Sequence, residues 1–548
     1  MQKLRGMSVI VPLFVCAACS TFEPDIYTPL NYTEQDARRI EMERIEQLRG
    51  TSPVEALWRS WLLVTSLPDS PAEQEKQQFD VCVQTVQELY RTAETDRDYL
   101  AMNRYLLSLQ AVDAASAADF SDSLSAVKAE LLAETPGLTA AENSASAADS
   151  VADFINGTVT IWVDRGIRVE RGMGYVDVVI GSGFFISEDG YIVTNYHVIS
   201  SEVDPEYEGF SRLYIKLASD SDTRIPAKVV GWDAALDLAL LKAEITAPYV
   251  FALGSSAGLN IGDRIYAIGS PVGLERTLTS GIVSAADREL FALGTVMQID
   301  AAVNSGNSGG PLIDLAGNVQ GIVFASAVQY QGLNFAIPVE YLKWELPLLY
   351  SGGERLHPWT GAYGHTLKDR TRPDLAGVAV DYIMPGGGAD LGGIAVGDII
   401  THVNGQPVSG IEQLHNVCMT LEPDTIIQVS GLREDGTLFD TAVYLQERPK
   451  SPGYEIYRHD LIAKAMLPLF GMSLTSIGKS EYVVSSVLKG SIADESGFSE
   501  NDPIRIRNIE FSPENDAMFV SVYAKKRKNG YLDVNLGIAA PLDSSSYF

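Results

Sequence analysis

Cysteine is scarce. The chain has four in 548 residues, Cys16, Cys19, Cys82 and Cys418, and two of these fall within the first twenty. A disulfide framework is excluded, and Cys82 and Cys418, in segments read as separate domains, are expected to be buried free thiols. No cysteine and histidine cluster has metal-ligand spacing, so a structural zinc is unsupported and neither metal nor cofactor is expected. Positive charge is also short: 41 Lys and Arg face 71 Asp and Glu, a formal net charge of −30. Such a field repels a phosphate backbone, which excludes nucleic acid as a partner.

Long apolar runs are missing as well. Lys3 and Arg5 precede the run Met7 to Ala18, about half the ~20 residues that a membrane-spanning helix needs. Residues 1–18 therefore read as a signal peptide. No other stretch is long enough to span a bilayer. The end of the run, Val15-Cys16-Ala17-Ala18-Cys19, resembles a bacterial lipobox, with Cys16 in place of the usual aliphatic residue. The resemblance implies cleavage before Cys19, lipid on Cys19, and a periplasmic, membrane-anchored protein. Ser20 rather than Asp after that cysteine favours the outer membrane.

What is present is apolar mass. At 46% hydrophobic residues, the length implies roughly three to five domains of about 100–200 residues. A polar tether at 19–32 leads into a helical domain at 33–134. Ser52-Pro53-Val54-Glu55 and Ser70-Pro71-Ala72-Glu73 have the form of capping boxes with proline at the first helical position. Phe79, Cys82, Val83, Val86, Leu89 and Tyr90 recur at helical spacing, Tyr99, Met102, Tyr105 and Leu106 continue in a third helix, and Leu124, Val127, Leu131 and Leu132 mark a fourth. These stripes should pack on one another or on a partner protein. A small-residue linker is expected at 135–152.

From about residue 153 the pattern changes to short strands between glycines: Val159 to Val163, Tyr175 to Ile180, Phe184 to Ile186, Tyr191 to Thr194 and Leu213 to Leu217. They indicate a barrel or sandwich that ends near 350. Beyond it, Ala389, Asp390, Gly393, Asp398 and Asn404 recur 104 residues later as Ala493, Asp494, Gly497, Asp502 and Asn508. Two copies of one module follow, at 355–448 and 460–542.

Histidine is the last scarcity. Of six, His197, His357, His365, His402, His415 and His459, only His197 precedes the repeats. It is thus the sole imidazole for acid and base chemistry in the β-rich region. Asn304-Ser305-Gly306-Asn307-Ser308-Gly309-Gly310-Pro311-Leu312 offers a hydroxyl, Ser308, in a glycine-rich turn whose amides, at Gly306, Asn307 and Ser308, can converge on a developing oxyanion. The carboxylate that orients the imidazole is assigned to Asp237, in the apolar run Leu236-Asp237-Leu238-Ala239-Leu240-Leu241 and read as lying on a strand. Asp233, nearer a turn, and Asp300, beside the serine loop, compete for that role.

The ordered blocks Thr194-Asn195-Tyr196-His197-Val198, Asp237-Leu238-Ala239-Leu240-Leu241 and Gly306-Asn307-Ser308-Gly309-Gly310-Pro311-Leu312 resemble the HtrA (Deg) family of trypsin-fold serine proteases with C-terminal PDZ domains. Gly181-Ser182-Gly183-Phe184, Ile268-Gly269-Ser270-Pro271-Val272-Gly273 and Gly332 to Pro338 extend the likeness across roughly 155–345. The resemblance implies a multidomain chain: a helical block, a double β-barrel protease at 153–350 and two PDZ-like α+β modules. It further implies a serine endopeptidase acting on unfolded or mislocalised envelope proteins, working as a homotrimer or larger assembly.

Digestive relatives carry an aspartate before the nucleophile that pairs with a freshly cut N-terminus. Here Asn307 stands there, so zymogen cleavage is not expected, and loops at 274–280 and 325–332 are expected to set the oxyanion hole instead. Ala302 occupies the place of trypsin's specificity acid. With Phe324, Ala325 and Leu333 it implies a small apolar pocket that accepts Val, Ala, Ile or Thr.

In the first module, Trp359-Thr360-Gly361-Ala362 matches the loop that takes a peptide carboxylate, with Thr360 in place of an aliphatic residue. Peptide C-termini are the expected ligand. Leu469-Phe470-Gly471-Met472 stands there in the second copy, which is degraded elsewhere: Asn501 replaces Gly397, Pro503 follows Asp502 and Ile509 replaces Gly405. Two readings compete with proteolysis. One is a catalytically silent PDZ scaffold or chaperone, and the other makes the helical block a docking module with the protease as effector.

Overall fold

A computed structural model describes residues 27, 34–66, 72–113, 121–138, 151–220, 222–269, 277–304, 306–326, 333–368, 375–512, 516–527 and 531–548. The expected signal peptide, Cys19 and all of the tether except Tyr27 lie outside them. Among the described residues no helix is long and apolar enough to cross a membrane.

Among the described residues the N-terminal block comprises the helices α1 (Gln35–Leu48), α2 (Pro53–Thr65), α3 (Glu73–Asp96), α4 (Tyr99–Val112) and α5 (Ser121–Glu134). α2 starts at the expected Pro53, although Ser52 makes no side-chain cap bond. Ser70 and Pro71 lie outside the described residues. α3 starts at Glu73, where Ala72 N donates to Glu75 Oε2 at 2.9 Å. Glu75, not Glu73, therefore supplies the carboxylate half of the cap, and Ala72 has no side-chain acceptor to return it. Leu132, counted in the fourth stripe, is exposed.

The helical stripes pack on each other and on the first PDZ sheet. Ile45, Leu57, Trp58, Leu63, Cys82, Val86 and Leu109 share one core with Ile426 and Ala442. Trp58 Nε1 donates to Ala442 O at 2.8 Å, and its ring stacks on Tyr444 at 5.6 Å. Ile426 N donates to Ser108 Oγ at 3.0 Å. The partner sought by these apolar faces is thus within the chain. The start of the expected linker is also anchored: Thr135 is buried, Leu138 packs on the protease core, and residues 151–156 are helical.

The protease region holds two six-stranded barrels. The first comprises β1 (Thr158–Glu170), β2 (Met173–Phe185), β3 (Tyr191–Thr194), β4 (Arg212–Lys216), β5 (Ile225–Asp233) and β6 (Leu238–Ala243), and β5 pairing with β6 closes it. The second comprises β7 (Arg264–Gly269), β8 (Thr277–Arg288), β9 (Val296–Ile299), β10 (Pro311–Ile313), β11 (Val319–Ser326) and β12 (Asn334–Pro338). The two strands expected at 175–186 are one. Gly181-Ser182-Gly183 continues β2 rather than breaking it, because a Cβ on Gly181 would meet Val198 at 2.7 Å and Ser308 O at 3.2 Å. Here glycine permits close approach, not a turn.

Helix Val339–Ser351 and β13 (Gly353–Glu354), parallel to β5, lead to the first PDZ domain. Its strands are β14 (Pro358–Trp359), β15 (Ala362–Thr366), β16 (Val378–Ile383), β17 (Ile399–Val403), β18 (Gln406–Pro407), β19 (Thr425–Leu432) and β20 (Leu438–Glu447). The sheet order β14-β20-β19-β17-β16-β15 leaves β15 at the edge. The second PDZ domain has the order β21 (Met472–Gly478), β22 (Glu481–Val487), β23 (Pro503–Ser512), β24 (Ala517–Arg527), β25 (Tyr531–Pro541).

Trp58→Ala deletes the ring that ties the helical block to the PDZ sheet. Removing a large buried aromatic costs about 3–5 kcal/mol. Urea unfolding should show a loss of that order, and an unchanged midpoint would contradict the interface.

Candidate functional site

β3 ends at Thr194, and a short helix, Tyr196–Val203, begins one residue before His197. The imidazole is thereby held at the barrel rim, about half exposed. Asp237 is not on a strand. It occupies the turn just before β6 with φ of 56°, a left-handed conformation that Asp tolerates better than most residues. The turn aims both carboxylate oxygens at one neighbour: Oδ2 lies 2.8 Å from His197 Nδ1, and Oδ1 accepts from His197 N at 2.8 Å. Asn195 Nδ2 donates to Asp237 O at 2.8 Å. Both carboxylate oxygens are thus directed at His197, one at its ring and one at its amide.

The competing acids are elsewhere. Asp233 is buried with His357 Nε2 at 3.0 Å, and Asp300 Oδ1 accepts from Ile282 N at 2.6 Å.

The serine loop comes from the second barrel and reaches the first through backbone contacts. Ser182 N donates to Ser308 O at 2.7 Å, and Ser182 Oγ donates to Gly306 O at 2.7 Å. A Cβ on Gly309, whose φ is 84°, would lie 2.2 Å from Ser182 O and 3.0 Å from Asn195 N. The loop thus abuts the segment that presents His197. The Ser308 hydroxyl donates to Phe324 O at 3.4 Å, a long bond that leaves the hydroxyl weakly held.

The loop's amides divide into two sets. Those of Asn307, Gly309 and Gly310 donate to Asn304 O, Val323 O and Asn307 O. Asn307, expected among the oxyanion donors, is therefore committed within the loop. Among the described residues the amides of Gly306 and Ser308 have no acceptor. Asn307 is buried against Gly269 with its Oδ1 unpartnered. An aspartate there would bury an uncompensated charge.

Of the expected pocket residues, Ala302 is exposed and its carbonyl accepts from Thr279 Oγ1 at 2.9 Å. Phe324 packs at a tilt against Phe291 and Phe335, and Leu333 is half-buried. Ala325 lies in β11 opposite Phe335. Of the loops expected to tune the site, 274–276 and 327–332 lie outside the described residues.

Asp233, Glu345 and His357 bring ligand atoms within 4.8 Å of one another, a grouping that sequence spacing could not reveal. Asp233 and His357 are paired with each other, and Glu345 is committed through Oε2 alone, its Oε1 having no hydrogen-bond partner. Arg355 Nε donates to Glu345 Oε2 at 2.7 Å, and Arg355 Nη2 donates to Met419 O and Leu421 O. A guanidinium at the centre opposes a cation, so these residues fit an interdomain ion-pair network and not a metal centre.

Thr360, Gly361 and Ala362 line the edge of the first PDZ sheet. Gly361 has φ of 82°, Thr360 Oγ1 donates to Phe548 O at 2.6 Å, and Ala362 N donates to the same oxygen at 3.0 Å. His415, on the facing helix Ile411–Cys418, is buried. Burial and the nearby Arg448 charge push its pKa down to about 3.

A trypsin-like peptidase family model matches residues 181–322, and a PDZ model matches 380–426. The TP0546 family PDZ model matches 453–542, and a domain of unknown function (DUF8517) matches 36–131. A probable periplasmic serine endoprotease DegP-like from Ectopseudomonas mendocina (strain ymp) is 36% identical over 267 residues, 46% of this chain and 54% of that protein. One from Rhizobium meliloti (strain 1021) is 31% identical over 388 residues, 67% of this chain and 74% of that protein. The chain spans about half the length of the first of these. A solved structure titled "HtrA-type protease AlgWS227A with tripeptide" is 28% identical, covers 56% of this chain and 98% of its own, and has a TM-score of 0.45.

His415 generates a pH dependence. Its folded pKa lies below its unfolded value of 6.5, so the unfolded state holds more protons in between and stability rises with pH through that window. Acidifying from pH 6.5 to 4.5 should cost about 2–3 kcal/mol through this residue. Urea unfolding of His415→Gln should show a correspondingly flatter pH profile.

Proposed function

Because this chain belongs to the HtrA (DegP-like) family of trypsin-like serine proteases, we propose that it is a serine endopeptidase with Ser308 as nucleophile, His197 as general base and Asp237 orienting the base. The observation that carries this reading is the paired contact of Asp237 with the ring and the amide of His197, beside the Ser308 loop. Nucleophilic attack requires the Ser308 hydroxyl to turn from Phe324 O towards His197 Nε2, which then takes its proton. Asp237 supports the imidazolium that results. The amides of Gly306 and Ser308 receive the oxyanion, and collapse expels the amine with the proton returned by His197. An acyl-enzyme on Ser308 remains for water to hydrolyse.

Ala302, Phe324, Ala325 and Leu333 form the side-chain pocket of this proposal and prefer Val, Ala, Ile or Thr before the cut bond. The substrates are unfolded or mislocalised proteins of the envelope, at its periplasmic face, with the first PDZ domain engaging peptide C-termini. Lipid on Cys19 tethers the protein to the outer membrane, and the working form is a homotrimer or larger. That the Ser308 hydroxyl donates to Phe324 O and not to His197 gives the silent-scaffold reading its point of support.

Hydrolysis of an unfolded casein-like substrate decides between the two. Ser308→Ala should abolish it, together with labelling by a serine-directed phosphonate, whereas equal rates for parent and variant would eliminate the enzymatic reading. Asp237→Asn should keep the fold and lower kcat by about 10⁴-fold, since the wrong tautomer is then held. A peptide-library profile with strong Lys or Arg preference would refute the pocket.

A further inference from the structure

The edge strand β15 already has a neighbour. Residues 546–548, which follow β25 of the second PDZ domain and a turn in which Tyr547 N donates to Ser544 O at 3.3 Å, run antiparallel to β15. Phe548 N donates to Ala362 O and Ala362 N to Phe548 O, both at 3.0 Å, and Gly364 N donates to Ser546 O at 3.0 Å. Tyr363 and Tyr547 face each other as a bridge pair. This is strand addition at a sheet edge, in which main-chain bonds hold the peptide and alternate side chains are read by pockets.

Both side chains are read. Phe548 is 6% exposed and packs in the first PDZ core with Ala362, Val378, Val380 and Leu414. Gly364 leaves room for it, since a Cβ there would lie 3.2 Å from the Phe548 ring. Tyr547 points the other way, 1% exposed, into the core of the second PDZ domain. Its hydroxyl donates to Pro468 O at 3.0 Å, and its ring meets Tyr363 edge-on at 5.2 Å. Thr360, which departs from the usual aliphatic residue of this loop, supplies the hydroxyl that reaches Phe548 O. One residue earlier than the docked strand, Asp543 pairs with Arg448 at 2.7 Å.

We infer that the peptide groove of the first PDZ domain is self-occupied: residues 544–548 are its resident ligand, the groove selects an extended segment with a Tyr-Phe pair, and an incoming peptide must displace this strand. The serine run at 544–546 is only half-buried, so the strand is held chiefly by its last two side chains and by three main-chain bonds. Displacement takes no strand from the second PDZ sheet, because the docked segment lies beyond β25, but it withdraws Tyr547 from that domain's core. The inference concerns the PDZ groove alone and does not depend on catalysis at Ser308.

Fluorescence anisotropy with labelled Ser-Ser-Ser-Tyr-Phe, on the full chain carrying Ser308→Ala to prevent cleavage, tests this directly. A tethered competitor acts at an effective concentration near the millimolar range, so deleting residues 544–548 should tighten binding by about 10-fold or more. Phe548→Ser, which leaves Tyr547 seated, should tighten it in the same direction and serves if the deletion fails to fold. With the tail intact, saturating peptide should increase deuterium uptake in residues 543–548. Equal affinities for all chains with unchanged uptake, or no binding by any of them, would overturn the inference. The casein assay, read separately, reports on proteolysis without touching this result.

Discussion

The geometry of the candidate site depends on Ser182. This buried residue of β2 makes two bonds to the serine loop of the other barrel, with its amide to Ser308 O and its hydroxyl to Gly306 O. Its own carbonyl accepts from Thr194 Oγ1 at 2.7 Å, three residues before His197. One residue therefore ties the loop that carries the hydroxyl to the strand that delivers the imidazole. Each bond is made in the interior, where an unpaired polar group is costly, so the barrels cannot slide without breaking the two that cross between them. Gly181 admits this contact, because a Cβ there would lie 3.2 Å from Ser308 O, while Gly183 admits close packing within the first barrel, where a Cβ would lie 2.9 Å from Val193 O.

A second buried network fixes the protease against the first PDZ domain. Glu345, on the helix that closes the protease, pairs with Arg355, while His357 pairs with Asp233 at the end of β5. Burial raises the pKa of Glu345 despite the Arg355 charge. For Asp233 burial acts the same way, but the His357 charge and the hydrogen bonds outweigh it and hold the carboxyl below its usual range. Buried ion pairs contribute little net stability against apolar packing, yet they are demanding in geometry. With Arg355 also bound to the carbonyls of Met419 and Leu421, the network sets an orientation between domains more than it adds stability.

The duplicated module shows how the same physics survives divergence. In both copies an Asp caps its own turn: Gly386 N donates to Asp390 Oδ2 and Gly490 N to Asp494 Oδ2, each at 2.8 Å. Asp398 and Asp502 likewise accept from Ala395 N and Ser499 N. Asn501 replaces Gly397 without loss, since it takes the same left-handed conformation with φ of 67°. Asn404 and Gly405 make a tight turn in the first copy, with φ of 48° and 72°. Ile509 cannot adopt that conformation cheaply, and Asn508 accordingly lies inside the long strand β23. The second copy so trades a turn for a longer sheet.

Residue type and order were enough to specify the helical stripes of Cys82, Val86 and Tyr90, the strand content of the protease and the duplication, and to nominate His197, Asp237 and Ser308 as candidates, because each rests on local periodicity or on chemistry that few residue types can perform. Other features needed three dimensions. The left-handed turn at Asp237, the loss of the Asn307 amide to its own loop, the continuity of β2 through three small residues, the docking of Trp58 on Ala442 and the seating of Phe548 beside Ala362 all join groups far apart in the chain or depend on backbone angles. No spacing rule encodes such contacts. They are selected by burial and by the need to pair every interior donor and acceptor, and those demands exist only once the chain has folded.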